Sequence, residues 1–310
     1  MLGGRRSETH TGRIAAERRN CGEPQNPGKG DETVRIYVSA DMEGATGVVS
    51  ALQTRSDHPA EYAFGCKMEF HDVMAVIEGA IEGGAKEILV NDSHARMINL
   101  DISGLPENVR LLSGTPKALG MVEGVEGYDG AFFTAYHAMS GTPLAVLDHT
   151  VSGATLYDVR LNGHLVGETG INGAVCAAFG VPVALVTGDA AVCREASGLL
   201  GENLVTCSVK EAHGNASADC FPPSRTRNLL REAAREATLR IASKRAPVQK
   251  ISLPYELELT FKYSRQCDVV SYVPGVERID GRTVRMRGSD MVEMRRWINV
   301  ATGLAGSVAL

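Results

Sequence analysis

From Val34 onward, short β-branched and apolar runs alternate with amphipathic stretches. The runs Val34–Ser39, Glu87–Asn91, Val109–Leu112, Ala131–Ala135, Thr155–Leu161 and Val181–Thr187 have the length and composition of strands. Between the first two, Cys66, Phe70, Val73, Ile77 and Ala80 recur at spacings of four, three, four and three, which is one face of a long helix from about Glu61 to Gly83. Such βα alternation predicts a largely parallel sheet. Thr155–Leu161 is the expected exception, because Asn162-Gly163 behind it is a hairpin turn signal. The longest uncharged stretch, residues 170–188, is broken by Pro182 and several glycines. It therefore reads as a buried helix, Ile171–Phe179, and a buried strand, Val181–Val186, rather than a membrane span.

The later chain changes character. After an apolar run at Leu204–Val209, Pro223 opens a helix with Leu230, Ala234, Ala237 and Ile241 on its apolar face and Arg/Glu pairs on its wet face. Strand-like sequence follows at Lys250–Tyr263, Val269–Val273 and Thr283–Arg287, then a closing helix from about Asp290 to Leu304 that carries the only tryptophan, Trp297. Residues 1–32 almost lack large apolar side chains and read as a disordered tail. The expected fold is thus α/β, with a mostly parallel central sheet flanked by helices and a smaller β-rich α+β C-terminal lobe. Its parts are the tail at 1–32, an α/β metal-binding catalytic region at 33–200, and the lobe at 201–310 packed on it.

Composition narrows the function. The 310 residues carry a formal net charge of −5, which lacks the basic field of a phosphate-backbone binder, so nucleic acid is not an expected partner. A membrane is not expected either. Seven scattered cysteines without a Cys-x-x-Cys spacing read as free thiols in a reducing compartment, and the N-terminus has no apolar secretory core. A cytoplasmic location is expected.

The chemistry gathers at strand ends. The first strand runs into Asp41-Met42-Glu43-Gly44, the next into Asn91-Asp92-Ser93-His94, and the Ala131 strand into Tyr136-His137. In an open parallel sheet these ends face one crevice, where ligands bind. Asp41, Glu43, His94 and His137 can therefore converge, and carboxylates with imidazoles suit zinc, manganese or iron(II). Glu168, in Val166-Gly167-Glu168-Thr169-Gly170, is a fifth candidate, although a helix N-terminus favours an acid for its own sake. Three carboxylates and two imidazoles could hold two divalent ions that share a bridging carboxylate and activate a water, as in a binuclear hydrolase. His149 follows the His137 loop and could act as a general acid or as a donor to an oxyanion. Gly44-Ala45-Thr46-Gly47 is a weak phosphate-loop signal, since neither G-x-G-x-x-G nor G-x-x-x-x-G-K-[ST] is present, and no serine stands in G-x-S-x-G.

As a set, Ser39-Ala40-Asp41-Met42-Glu43-Gly44, Val90-Asn91-Asp92-Ser93-His94, Met121-Val122-Glu123-Gly124, Tyr136-His137-Ala138 and Val166-Gly167-Glu168-Thr169-Gly170-Ile171-Asn172 resemble the DppA-type zinc D-aminopeptidases. The likeness runs from about Val34 to the C-terminus and is strongest up to Gly188. It implies two zinc ions per chain, with Asp41 bridging, Glu43 and His94 on one ion, His137 and Glu168 on the other, and His149 as the catalytic histidine. It also implies removal of N-terminal D-amino acids from short peptides such as D-Ala-D-Ala, within a homo-oligomer that is a ring-like decamer. The extra tail and a loosely similar C-terminal segment depart from the pattern. The competing readings are a binuclear amidase or esterase, a metal-free module that holds a phosphorylated ligand on Gly44–Gly47, and a structural oligomer ordered by metal.

Overall fold

Strands that are apolar on both faces need cover on both sides, and that requirement organises this chain. The structure is a computed structural model that describes residues 33–308, so the tail expected at 1–32 lies outside the described residues. In chain order the elements are β1 (Val34–Ala40), α1 (Pro59–Glu82), β2 (Ala85–Asp92), β3 (Val109–Leu112), β4 (Gly130–Tyr136), β5 (Leu156–Leu161), β6 (His164–Leu165), α2 (Glu168–Ala178), β7 (Val183–Asp189), α3 (Ala190–Leu200), β8 (Val205–Gly214), β9 (Ser217–Cys220), α4 (Pro223–Ala242), β10 (Tyr255–Phe261), α5 (Ser264–Ser271), β11 (Glu277–Arg278), β12 (Thr283–Gly288) and α6 (Met291–Gly306).

The main sheet has the order β3-β2-β1-β4-β7-β8-β9. It is parallel from β3 to β8, and only β9 runs antiparallel. Every residue of β4 and β7 is buried. Side chains alternate across β1, so Ile36 and Val38 join α1 and α4 on one face while Tyr37 joins α2 and α6 on the other. The chain leaves β1 for β2 on one side and returns to β4 on the other, which opens a crevice at the carboxyl ends of β1 and β4.

A second sheet, β11-β12-β10-β5-β6, is antiparallel. Asn162 at φ +52° and Gly163 at φ +79° turn β5 into β6, as the hairpin signal required. Along β10, Leu257, Leu259 and Phe261 point into the core. The two sheets exchange chain across residue 200: β8, β9 and α4 complete the main sheet and its cover, while β5 and β6 belong to the second sheet. Residues 33–308 form part of one compact unit.

One sequence expectation fails. The run Val269–Val273 is not a strand but the end of α5 and the turn after it. A short apolar run has the same composition in either state, and here Gln266 accepts from the Tyr263 amide and donates to the Ala154 carbonyl, which starts a helix that buries Cys267 and Val270. The described cysteines are all free. No helix among the described residues is long and apolar enough to cross a membrane.

Candidate metal centre

The crevice collects all six side chains singled out from the sequence. Asp41 and Glu43 sit on the turn after β1, which is tied to the end of β4 by Asp41 N donating to Thr134 O and Gly44 N to Ala135 O. Gly44 is required there, because a Cβ would lie 1.9 Å from the Tyr136 carbonyl oxygen. His94 follows β2, where Ser93 N donates to Ala40 O. His137 follows β4, Glu168 is the first residue of α2, and His149 stands in the loop between β4 and β5.

Asp41 lies between two groups. Its Oδ1 is 3.4 Å from His94 Nδ1, which is also 3.0 Å from Glu43 Oε2. Its Oδ2 is 3.5 Å from His137 Nε2, which is 3.4 Å from Glu168 Oε1. His149 Nε2 is 3.8 Å from the same Glu168 oxygen. Asp41, Glu43 and His94 each offer a ligand atom within 4.8 Å of the other two, and so do His137, His149 and Glu168.

The backbone sets which imidazole nitrogen faces inward. His94 Nε2 meets Thr54 O at 2.8 Å, His137 Nδ1 meets Ala138 O at 3.0 Å, and His149 Nδ1 meets Leu147 O at 2.9 Å. A carbonyl can only accept, so each outer nitrogen carries a proton and each inner nitrogen is the one that faces the carboxylates and is left to bind a cation.

Burial and crowding shift the charges. Burial and the adjacent Glu43 push Asp41 up to about 7. Burial works against ionisation of Glu43, but His94 outweighs it and holds that carboxyl well below the usual range. Burial opposes charge on His94 and His137 as well; Glu43 overcomes it for the first and Glu168 for the second, so both are raised. Glu168 is drawn down to about 2, burial being outweighed by His137. Asp41 Oδ2, Glu43 Oε2 and His137 Nε2 are buried with no hydrogen-bond partner among the described residues. Polar atoms left this way cost about 1–3 kcal/mol each. Lone pairs from nitrogen and oxygen aimed at common points fit a borderline divalent cation such as zinc.

Strained backbone surrounds this cluster. Ala135 (φ +59°) precedes His137, Ala95 (+50°) and Met97 (+57°) follow His94, and Leu144 (+49°), Leu147 (+52°) and Val151 (+61°) bracket His149. Such conformations cost about 1–3 kcal/mol each for side chains with a Cβ. At Val151 the strain has a use, since its amide donates to Glu168 Oε1 at 2.7 Å.

The Gly44–Gly47 turn is not a phosphate cradle. Its Gly44, Ala45 and Thr46 amides donate to Ala135 O, Met42 O and Asp72 Oδ2. One carbonyl of the turn and the two that flank it converge instead on the buried Lys210 of β8, whose Nζ donates to Ala45 O at 2.9 Å, Glu43 O at 2.6 Å and Val48 O. Lys210 was not legible in the sequence as a site residue. Its signal was faint, a lysine after the buried Val209 in an apolar strand. Arg295 is a second such residue, on the buried stripe Met291, Met294, Arg295, Ile298, Ala301 of α6, where an apolar residue is expected. Arg295, unlike Lys210, lines an open cleft of about 1030 Å³ whose walls also include Asp41, Glu43, His94, His149 and Glu168.

A parallel sheet whose strand ends hold two carboxylate–imidazole groups above an open cleft is the framework of an α/β metallohydrolase. Known proteins narrow the class. Residues 34–300 match the M55 peptidase family, described as D-aminopeptidase. The chain is 32% identical over 277 residues to the D-aminopeptidase of Bacillus subtilis strain 168, covering 88% of this chain and 98% of that one. It superposes with a TM-score of 0.83 and 30% identity on the solved Zn-dependent D-aminopeptidase DppA of Bacillus subtilis, described as a self-compartmentalizing protease, covering 89% of this chain and 100% of that one. The chain belongs to the D-aminopeptidase family and is a metal-dependent peptide hydrolase.

Proposed function

We propose that the chain removes the N-terminal residue, of D configuration, from short peptides, using two zinc ions per chain. Asp41 would bridge them, with Glu43 and His94 completing one site and His137 and Glu168 the other. The observation that carries this reading is the division of the Asp41 carboxylate, whose two oxygens face His94 and His137 separately at 3.4 and 3.5 Å. Zinc, when bound, supplies the Lewis acidity that polarises a scissile carbonyl and lowers the pKa of water.

The chain's own groups do the rest. Thr54 O, Ala138 O and Leu147 O hold the three imidazoles in the tautomers that keep their inward nitrogens free. Lys210 and Gly44 hold the Asp41–Glu43 turn against the end of β4. His149 is the proton-transfer group: it lines the cleft, and its Nε2, 3.8 Å from Glu168 Oε1, can take up a proton and deliver it to the departing amine. A closed homo-oligomer, a decamer as in the resemblance above, would admit only short peptides. The self-compartmentalizing description of the DppA structure supports this. Free thiols suit a reducing compartment, so we place the protein in the cytoplasm.

The test is metal content by mass spectrometry on protein purified without chelator, followed by matched D- and L-dipeptides. About two zinc per chain and turnover of the D series are expected. Stoichiometric zinc with turnover only of esters or non-peptide amides would overturn the peptide assignment.

A further inference from the structure

A buried cation without a counter-ion needs a reason, because an uncompensated charge inside a protein is held at a cost of several kcal/mol. Arg295 of α6 is 3% exposed. Its guanidinium has five donors in a rigid fork. Only Nη1 finds an acceptor among the described residues, the Asn299 side-chain oxygen, and Nε is buried with none. No carboxylate among the described residues pairs with it.

The surroundings hold this fork in place. Asn299 is itself oriented, its Nδ2 donating to Ala118 O at 3.0 Å and Lys117 O at 3.3 Å, which leaves Oδ1 for the arginine. Gly120, at φ +57°, makes room for the fork, since a Cβ there would lie 2.3 Å from Arg295 Nη2. Lys117 also borders the cleft, but Asn91 Oδ1, Asp92 O and Leu112 O occupy its three donors, so it adds positive field rather than a contact. The same cleft thus has an acidic metal-binding wall and a cationic wall centred on Arg295.

We infer that Arg295 receives the free C-terminal α-carboxylate of the peptide substrate, so that the enzyme selects short peptides by their far end; this rests on the aminopeptidase reading above. A planar carboxylate matches the guanidinium fork, and burial strengthens a charge-assisted pair. The substrate's amino end then lies toward the carboxylate wall.

The experiment compares a D-dipeptide with its C-terminal amide on zinc-loaded enzyme. Wild type is expected to favour the acid in kcat/KM by about 10–100-fold, the effect of one charge-assisted pair. R295Q should bring that ratio toward one, chiefly through a higher KM for the acid, and R295K should restore part of it. N299D, which supplies the guanidinium with an internal carboxylate while keeping it buried, should also erode the preference. Circular dichroism and zinc content serve as controls for fold and site. A wild type active on both substrates without preference overturns this inference alone, as does an R295Q enzyme, folded and zinc-loaded, that keeps the full preference. A wild type inactive on every peptide and amide overturns the aminopeptidase reading and this inference with it.

Discussion

The imidazole of His149 lies flat on that of His137, with centroids 4.0 Å apart and planes 11° from parallel. The two rings therefore share one edge of the cluster, yet they differ in exposure: the His137 side chain is 1% exposed and that of His149 is 26% exposed. A buried ring suits a ligand and a half-open ring suits proton exchange with a substrate.

H149A is accordingly expected to keep about two zinc per chain and to lose about 10²–10⁴-fold in kcat. Metal analysis beside steady-state kinetics checks both parts. Loss of one zinc equivalent would make His149 a ligand instead.

D41N is expected to lower zinc to less than about one equivalent and to abolish peptidase turnover, because one neutral amide cannot serve two cations. The folded state should survive, since the same change relieves the burial of a charge and the crowding with Glu43 that together push Asp41 up to about 7. Metal analysis and a thermal melt in chelator distinguish the two effects.

Lys210 offers a prediction remote from the metal ligands in sequence. K210M leaves the Glu43, Ala45 and Val48 carbonyls without their donor in a dry site. A loss of roughly 2–4 kcal/mol in stability is expected, together with faster zinc release to a chelator. Denaturant melts and a stopped-flow chelation assay measure these; unchanged release kinetics would reduce Lys210 to a packing role.

The pH dependence of stability should carry a contribution from Glu195. Burial pushes this carboxyl from 4.5 up to about 7, although its Oε2 accepts from the Met139 amide. Below pH 4.5 it is protonated in both the folded and the unfolded chain, and its contribution is fully present. Between 4.5 and 7 the folded state holds the extra proton, so unfolding free energy falls as pH rises; above 7 the loss is complete. E195Q should flatten that fall in metal-free protein and be more stable than wild type at pH 8 by up to about 3 kcal/mol. Urea melts at pH 4.5, 6 and 8 decide it.

The sequence by itself determined the alternation of strands and helices and the strand-end positions of Asp41, Glu43, His94 and His137, because side-chain period and turn chemistry act over a few residues. The hairpin at Asn162-Gly163 was equally local. The Val269–Val273 run shows where that reach ends: a short apolar stretch fits either state, and the Ala154 carbonyl, distant in the chain, takes part in the choice. Only the tertiary structure decided that β5 and β6 leave the first half of the chain for the second sheet, that Lys210 reaches 167 residues back to Glu43, and that Arg295 enters the cleft. Those relationships depend on which faces the packed layers leave in contact, and a buried lysine or arginine looks like any surface cation until its surroundings are assembled.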